Sequence, residues 1–410
     1  MRVETYTRRI RQTSLSVVQT CIASVREKDI VKTGFRVFDK GCVGTAGAIG
    51  PCDEGELRLR ARSALKKGIQ YGFPPSAARR EYMNRSEKII DDGSLVREFD
   101  AFLEELRSRQ PGFIFSNKIN LTRFDVSMKN DSGLDLAYED TGLTVSLVFK
   151  ETTSANIMDG FVAYESRRYD REVLLDYVDG ICRAFQKKVR IPEGIRHPVI
   201  FSTQQGLPLG KFAEDLDGNR FGSKTSLLAD RLGQSVFSEA FTLYQTRNPE
   251  DTMAPFFDAE GVVNDDYRFT LIDHGVVAAP FTDKRAASKY GLQLTGSAVA
   301  EYDGVPTLGT PEFRISESGQ TVAELLEGRE AIFVVVAAGG DFTPDGTFGT
   351  PVQLAFLFDG KQFLGRLPEF NLSSSMFDMF GKDFVGVGND PYFALSDDRC
   401  LIMKMDVTRL

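Results

Sequence analysis

The chain has 410 residues, 42% of them hydrophobic and 26% charged, with a formal net charge of −8 and a pI near 5.2. That length exceeds what one small core needs and points to two domains of an ordinary globular protein. The acidic balance excludes a nucleic-acid surface, which requires clustered Lys and Arg to displace counterions, and the longest apolar run, "AIFVVVAA" at 331–338, is far too short to span a bilayer.

The pattern opens in strands. "TSLSVVQTCIASV" (13–25) and "VKTGFRVFD" (31–39) are rich in β-branched residues, and "DKG" (39–41) has the chemistry of a tight hairpin turn before "CVGTAGAIG". A helix is predicted over 54–69, with Leu57, Leu59, Ala61, Ala64 and Leu65 as its apolar face, and another over 95–109, stopped by Pro111. From 119 to 167 period two returns in "LTRFDVSMKN", "GLDLAYED" and "LTVSLVFKE", a meander whose turns are "NDSG" and "DTG". An amphipathic helix over 169–189 follows, with Val173, Leu174, Tyr177, Ile181 and Phe185 on one stripe.

"RIPEGIRHP" (190–198) reads as a linker, which sets the domains at 1–190 and 191–410. Beyond it helical pattern is scarce: a short amphipathic segment after Gly206, and "TVAELLEG" (321–328) with Thr321 as N-cap. The rest is strand and turn, in "SVFSEAFTLYQ", "YRFTLID", "EAIFVVVAAGG", "QLAFLFDGKQF" and "CLIMKMDVTRL". The expected fold class is α+β, with an antiparallel sheet and helices in the N-terminal domain and a mostly-β C-terminal domain.

Few residues suggest chemistry. The five cysteines (21, 42, 52, 182 and 400) form no CxxC pair, so they read as reduced thiols of a cytoplasmic protein. The start "MRVETYTRRI" has no apolar segment of a secretory signal, and the basic stretches "RRIRQ" and "ARREYMNR" read as solvated faces. "GTAGAIG" (44–50) and "GVGND" (386–390) lack the strand–GxGxxG–helix context and the GK[ST] of phosphate loops, and read as strand and hairpin glycines; no GxSxG elbow is present. "FFDAEGVVNDDYRFTLIDHGVV" (256–277) gathers Asp258, Glu260, Asp265, Asp266 and Asp273 around His274, one of only two histidines. Metal binding needs three or four ligands converging in space, whereas Asp273 and His274 are neighbours in a turn whose side chains are expected to diverge. His197, in the linker, has no stronger claim.

The second half resembles the TldD/PmbA (TldE) family, also called modulators of DNA gyrase. The resemblance rests on "FFDAEGVVNDDYRFTLIDHGVVAAPFTDKRAASKYGLQLTGSA", "SKTSLLADRLGQSVFSEAFTL" (223–243), the "DGTFG" turn (345–349) and "MFDMFGKDFVGVGND" (376–390). It implies a two-domain protein that dimerises around an enclosed cavity. It also implies that TldD-type members are zinc peptidases acting on unfolded peptides, with HExxxH on a helix and a later cysteine as third ligand, while TldE/PmbA-type members lack the motif and act as partner.

Aligned back from Thr225–Ser226, the HExxxH window falls on "LGKFAE": Leu209 and Glu214 replace the histidines and Gly210 the general-base glutamate. Leucine has no lone pair, glycine cannot accept a proton, and one carboxylate cannot hold zinc. Cys400, the remaining candidate, does not sit in the family's cysteine motif. The helix itself is retained, with Pro208 in its first turn and Leu209, Phe212, Ala213 and Leu216 on a stripe.

The expectation is therefore a chain with no cofactor or metal, inactive alone, that helps a TldD-like HExxxH subunit bind and process unfolded peptides. Exposed strand edges of the second half would capture extended peptides. Two alternatives remain: a stand-alone hydrolase holding a hard cation with Glu214, Asp258, Glu260 and His274, and a metal-free homodimeric peptide-binding scaffold. Asp258, Glu260 and His274 are the cavity or binding candidates, and neither nucleic acid nor membrane is a partner.

Overall fold

A computed structural model describes residues 1–203 and 206–410. The N-terminal sheet grows from a long hairpin, β1 (Arg2–Val18) paired antiparallel with β2 (Cys21–Asp39). The expected single strand over 13–25 is broken at Gln19 and Thr20, both at positive φ (48° and 59°), the conformation a two-residue hairpin turn needs. Neither residue advertises that turn; a distant anchor holds it, since Thr20 N donates to Phe115 O (2.7 Å) and Phe115 N donates to Thr20 Oγ1 (3.0 Å). The "DKG" turn is as read, with Lys40 and Gly41 at positive φ before β3 (Cys42–Ile49).

Helix α1 (Glu54–Ala64) starts at Asp53, whose carboxylate accepts from Gly55 N and Glu56 N. It buries Leu57 and Ala61 against Phe35, Val37 and Ala46, while Leu59, part of the expected apolar face, is 63% exposed. There follow β4 (Arg79–Arg85), α2 (Leu95–Arg109), β5 (Phe113–Asn130), β6 (Leu134–Glu151), β7 (Gly160–Ser166) and α3 (Arg171–Gln186). The sheet order is β3-β2-β1-β5-β6-β4, with β7 also on β6, and only β4 runs parallel to its neighbour.

The expected "DTG" turn at 140–142 does not exist: β6 runs straight through it. Asp140 is buried there because Arg167 Nη2 (2.6 Å) and the Tyr138 hydroxyl (2.6 Å) both donate to its carboxylate. A tertiary ion pair thus overrides a local turn signal.

The C-terminal half contains β8 (Arg196–Ser202), α4 (Gly210–Asp215), α5 (Gly218–Gly222), β9 (Leu243–Thr246), β10 (Arg268–Asp273), β11 (Val276–Val277), α6 (Lys284–Tyr290), β12 (Ala298–Val299), β13 (Thr307–Leu308) and β14 (Glu312–Ile315). Then come α7 (Val322–Leu326), β15 (Ala331–Ala337), β16 (Asp341–Phe342), β17 (Thr347–Phe358), β18 (Phe363–Arg366), β19 (Phe370–Ser375), α8 (Met376–Met379), β20 (Phe384–Val387) and β21 (Cys400–Arg409). Only Leu243–Thr246 of the expected strand over 235–245 is extended; Phe237 and Phe241 before it turn into the core. His197 is not in a linker: it lies in β8, buried, with its ring Nε2 3.1 Å from Gly194 O.

Strands β15, β8, β21, β19 and β17 close into a ring, because the long β17 pairs with β19 through 347–352 and with β15 through 352–358. Closure leaves these five strands without a free end strand among the described residues, whereas β16, β18 and β20 each pair with one strand only. Edges remain also on β11 and β14, in the small sheet β11-β10-β9-β14. The ring's core holds Phe201, Phe212, Phe241, Phe348 and Phe370. The two halves interlock, since Leu354, Phe356, Phe393 and Leu395 share a core with α2, α3 and the N-terminal sheet. Further along that sheet, the β12–β13 hairpin lies so close to β2 that a Cβ on Gly34 would fall 1.6 Å from Tyr302 O; only glycine fits.

Candidate functional site

Helix α4 contains the window, 209–214, that the resemblance aligns with HExxxH. Leu209 is its N-cap and Gly210 its first residue, so Pro208 lies just outside the helix rather than in its first turn. Leu209, Phe212 and Leu216 are buried, and the Phe212 ring meets Phe237, Phe241 and Phe380 at 4.8–5.5 Å between centroids. Apolar periodicity alone makes this helix, and aromatic packing holds it on the ring.

Its polar side carries a residue that the motif comparison overlooked. Lys211 is buried, with Nζ 2.6 Å from Glu214 Oε2 and 3.3 Å from Asp215 Oδ2. Asp215 is buried as well, and its Oδ1 accepts from Leu227 N at 3.0 Å. Burial pushes the Asp215 carboxyl above its ordinary pKa, partly offset by Leu227 N and Lys211. Glu214 lies between Lys211 and the Arg220 guanidinium, and the hydrogen bond from Lys211, more than any other contact, lowers its pKa. The one carboxylate left in the motif window is thus committed to two cations of its own chain.

The acidic stretch divides in two. Asp258 and Glu260, two of the binding candidates, are buried. Asp258 Oδ1 accepts from Glu260 N and Val262 N and Oδ2 from Ala298 N, each at 2.9 Å, so this carboxylate organises the loop around Gly261. Glu260 accepts from the Tyr71 hydroxyl on Oε1 and from Lys284 N, at the start of α6, on Oε2 (2.9 Å). Burial, then the neighbouring Asp258, pushes Glu260 up to about 7. Beside them a buried ion pair, Arg36 with Glu4 at 3.0 Å, sends further guanidinium donors to Ala259 O and Gly304 O. Tyr71, Arg36 and Glu4 belong to the N-terminal half, so this cluster fastens the two halves together.

His274 is elsewhere. It sits exposed at the β10–β11 turn with φ 46°, and its ring does not diverge from Asp273: Nδ1 is 2.8 Å from Asp273 Oδ1, a contact between exposed neighbours. Cys400 is buried among Ile200, Phe333 and Ile402, and burial raises its thiol pKa. Among the described residues no three His, Cys, Asp or Glu side chains are placed to hold a metal ion, so Glu214, Asp258, Glu260 and His274 do not form the cation site of the first alternative. Nor is any helix long and apolar enough to cross a membrane.

Residues 196–408, just over half of the chain, match the PmbA/TldA metallopeptidase C-terminal domain. The chain belongs to that family. In fold it is similar to TldE from Thermococcus kodakarensis, at a TM-score of 0.79 and 18% identity over 100% of this chain and 97% of that one. It is similar also to a protein from Thermotoga maritima named for modulation of DNA gyrase (TM-score 0.75, 16% identity, 99% and 96% covered). A third of that description, from Bacteroides thetaiotaomicron, gives a TM-score of 0.73 at 14% identity (100% and 95% covered). No curated protein matches the chain by sequence.

The zinc that the PmbA/TldA metallopeptidase name implies does not fit these residues. Leu209 is packed in the core, Gly210 has no side chain, and Glu214 is neutralised by Lys211 and Arg220.

Proposed function

We propose that this PmbA/TldA-family chain is a non-catalytic, TldE/PmbA-like subunit that binds unfolded peptides for an HExxxH-bearing partner of the TldD type in the cytoplasm. The observation that carries this reading is a helix kept in place by its aromatic packing while each of its three chemical positions is unusable: Leu209 buried, Gly210 bare, Glu214 ion-paired. Similarity in fold to a TldE supports it.

With the domains taken as 1–190 and 191–410, the peptide would enter at their seam, through a cleft of about 340 Å³ lined by Glu165 and Arg167 of the first and Asp251, Arg314 and Asp397 of the second. A cleft of about 420 Å³ within the C-terminal half continues it and is lined by Tyr244, Arg268, Arg314, Glu317 and Arg399, next to β14, which among the described residues pairs with β9 alone. A free edge offers main-chain donors and acceptors to an extended peptide regardless of its sequence. The mixed charges around it suit the amide dipoles of a peptide better than a substrate of one sign.

The test is co-expression with a TldD-type HExxxH chain encoded nearby, followed by co-purification and digestion of an unfolded protein. A stable complex, with hydrolysis only when both chains are present, supports the reading. A homodimer indifferent to that partner, or chelator-sensitive hydrolysis by the isolated chain, would overturn it.

A further inference from the structure

The seam contains a second, quite different space: an aromatic cavity of about 170 Å³. Phe149 of β6 and Tyr177 of α3 wall it on one side, Phe333, Phe356 and Phe363 on the other. Its polar corner is formed by Ser202, whose hydroxyl donates to Asp398 Oδ2 at 2.7 Å, and by Tyr392, which is hydrogen-bonded to Tyr177. Phe161, half-buried, and Ala163, exposed, also line it, so the cavity reaches the surface beside β7.

We infer that this cavity is a subsite for one aromatic side chain of an extended peptide, an inference that rests on the peptide-binding reading above. Size comes first. An apolar cavity of about 150 Å³ accepts benzene, whereas drug-sized ligands and cofactors need about 300–1,000 Å³. This one holds a single ring. Chemistry comes second. The walls offer ring edges and faces in the arrangement they already use among themselves, as Phe333 and Phe363 do at 5.1 Å and 76°. A phenyl ring meets these walls edge to face, and a phenol can set its hydroxyl at the corner of Ser202 and Asp398.

Placement is the third argument. Residues two apart on a strand share a face, so Phe161 and Ala163, which line the cavity, are followed on that face by Glu165. Glu165 lines a charged cleft of about 340 Å³ with Arg167, Asp251, Arg314 and Asp397. Asp251, Arg314 and Asp397 also border the cleft beside β14, so the three spaces follow one another, two at the seam and the third within the C-terminal half. A strand advances about 3.3 Å per residue, so the step from Phe161 to Glu165 matches about four residues of extended peptide. The peptide backbone lies in the charged trough and its aromatic residue seats at the end.

The experiment is calorimetric titration of the full chain with p-cresol, and with two capped, unstructured peptides that differ only by Phe or Ala at one central position. The variant Ala163→Phe, at an exposed position, plugs the mouth. Expected are saturable p-cresol binding that weakens about tenfold or more in Ala163→Phe, and a Phe peptide bound about tenfold to a hundredfold more tightly than its Ala twin. Absence of p-cresol binding, or equal affinity for the two peptides, overturns the ring subsite; equal affinity leaves peptide binding itself standing. Saturable p-cresol binding that Ala163→Phe weakens, with neither peptide bound, overturns the peptide reading and leaves a site for small aromatic molecules.

Discussion

The Tyr71 hydroxyl donates to the Glu260 carboxylate across the junction between the N-terminal sheet and the C-terminal half, 189 residues apart in sequence. Both groups are buried, and their environment links the assembly of the halves to protonation. Glu260 titrates near 7 in the fold against an ordinary 4.5, because burial penalises its charge. A carboxyl whose folded pKa is raised contributes stability that is complete below the unfolded value and is lost as pH rises through the folded one. Stability should therefore fall as pH climbs from about 4.5 through about 7, by on the order of 3 kcal/mol at most from this group. Glu260→Gln keeps a partner for Tyr71 and Lys284 and should flatten that part of the curve. Denaturant midpoints of both proteins across this range check it, and parallel curves would show that Glu260 is not the titrating group.

Lys211→Met strands the buried Asp215 carboxylate without its cation. Removal of one partner from a buried pair costs about 3–5 kcal/mol, whereas apolar replacement of both is far milder. The double variant Lys211→Met/Asp215→Leu should recover most of the loss. Because burial raises the Asp215 pKa, the single variant should suffer more at pH 8 than at pH 5, protonation being the stranded carboxyl's only relief. Urea unfolding at the two pH values reads both effects.

Gly34→Ala forces a Cβ to within 1.6 Å of the Tyr302 carbonyl oxygen. The obstacle is backbone, so Tyr302→Ala should not rescue it. Gly47 faces side chains instead, with the Tyr302 Cε2 and the Asp303 Cβ each 2.6 Å from an added Cβ, so Tyr302→Ala should relieve Gly47→Ala only in part. A loss of about 1–3 kcal/mol is expected for Gly34→Ala. Faster amide exchange confined to the β12–β13 hairpin would show where the fold has given way.

Chelation should be without effect. With Leu209 in the core and Glu214 between two cations, EDTA is expected to leave the thermal midpoint of the isolated chain unchanged, and dialysis against zinc to leave well under one ion per chain. Scanning calorimetry and elemental analysis measure these directly. A chelator-induced drop in the midpoint would reveal a metal site that α4 does not explain.

Sequence alone determined what depends on residue identity and near neighbours. The apolar stripe of α4, the Lys40–Gly41 turn and the cap at Thr321, where Thr321 and Glu324 satisfy each other's backbone N–H groups, were all legible. Each is decided within one or two turns of chain, where propensity and capping act. Tertiary structure alone decided which polar groups went inside. Asp140 sits in a turn-like triplet yet lies mid-strand on account of Arg167; Asp258 and Glu260 look like surface acids yet are buried by Ala298, Tyr71 and Lys284; Lys211 looks like solvent-facing helix chemistry yet pairs with Asp215 in the interior. A buried charge is tolerated only where a partner meets it, and for Asp140, Asp258 and Glu260 partners are brought in by folding from tens to nearly two hundred residues away, whereas Lys211 and Asp215 are helix neighbours whose burial alone is a tertiary outcome.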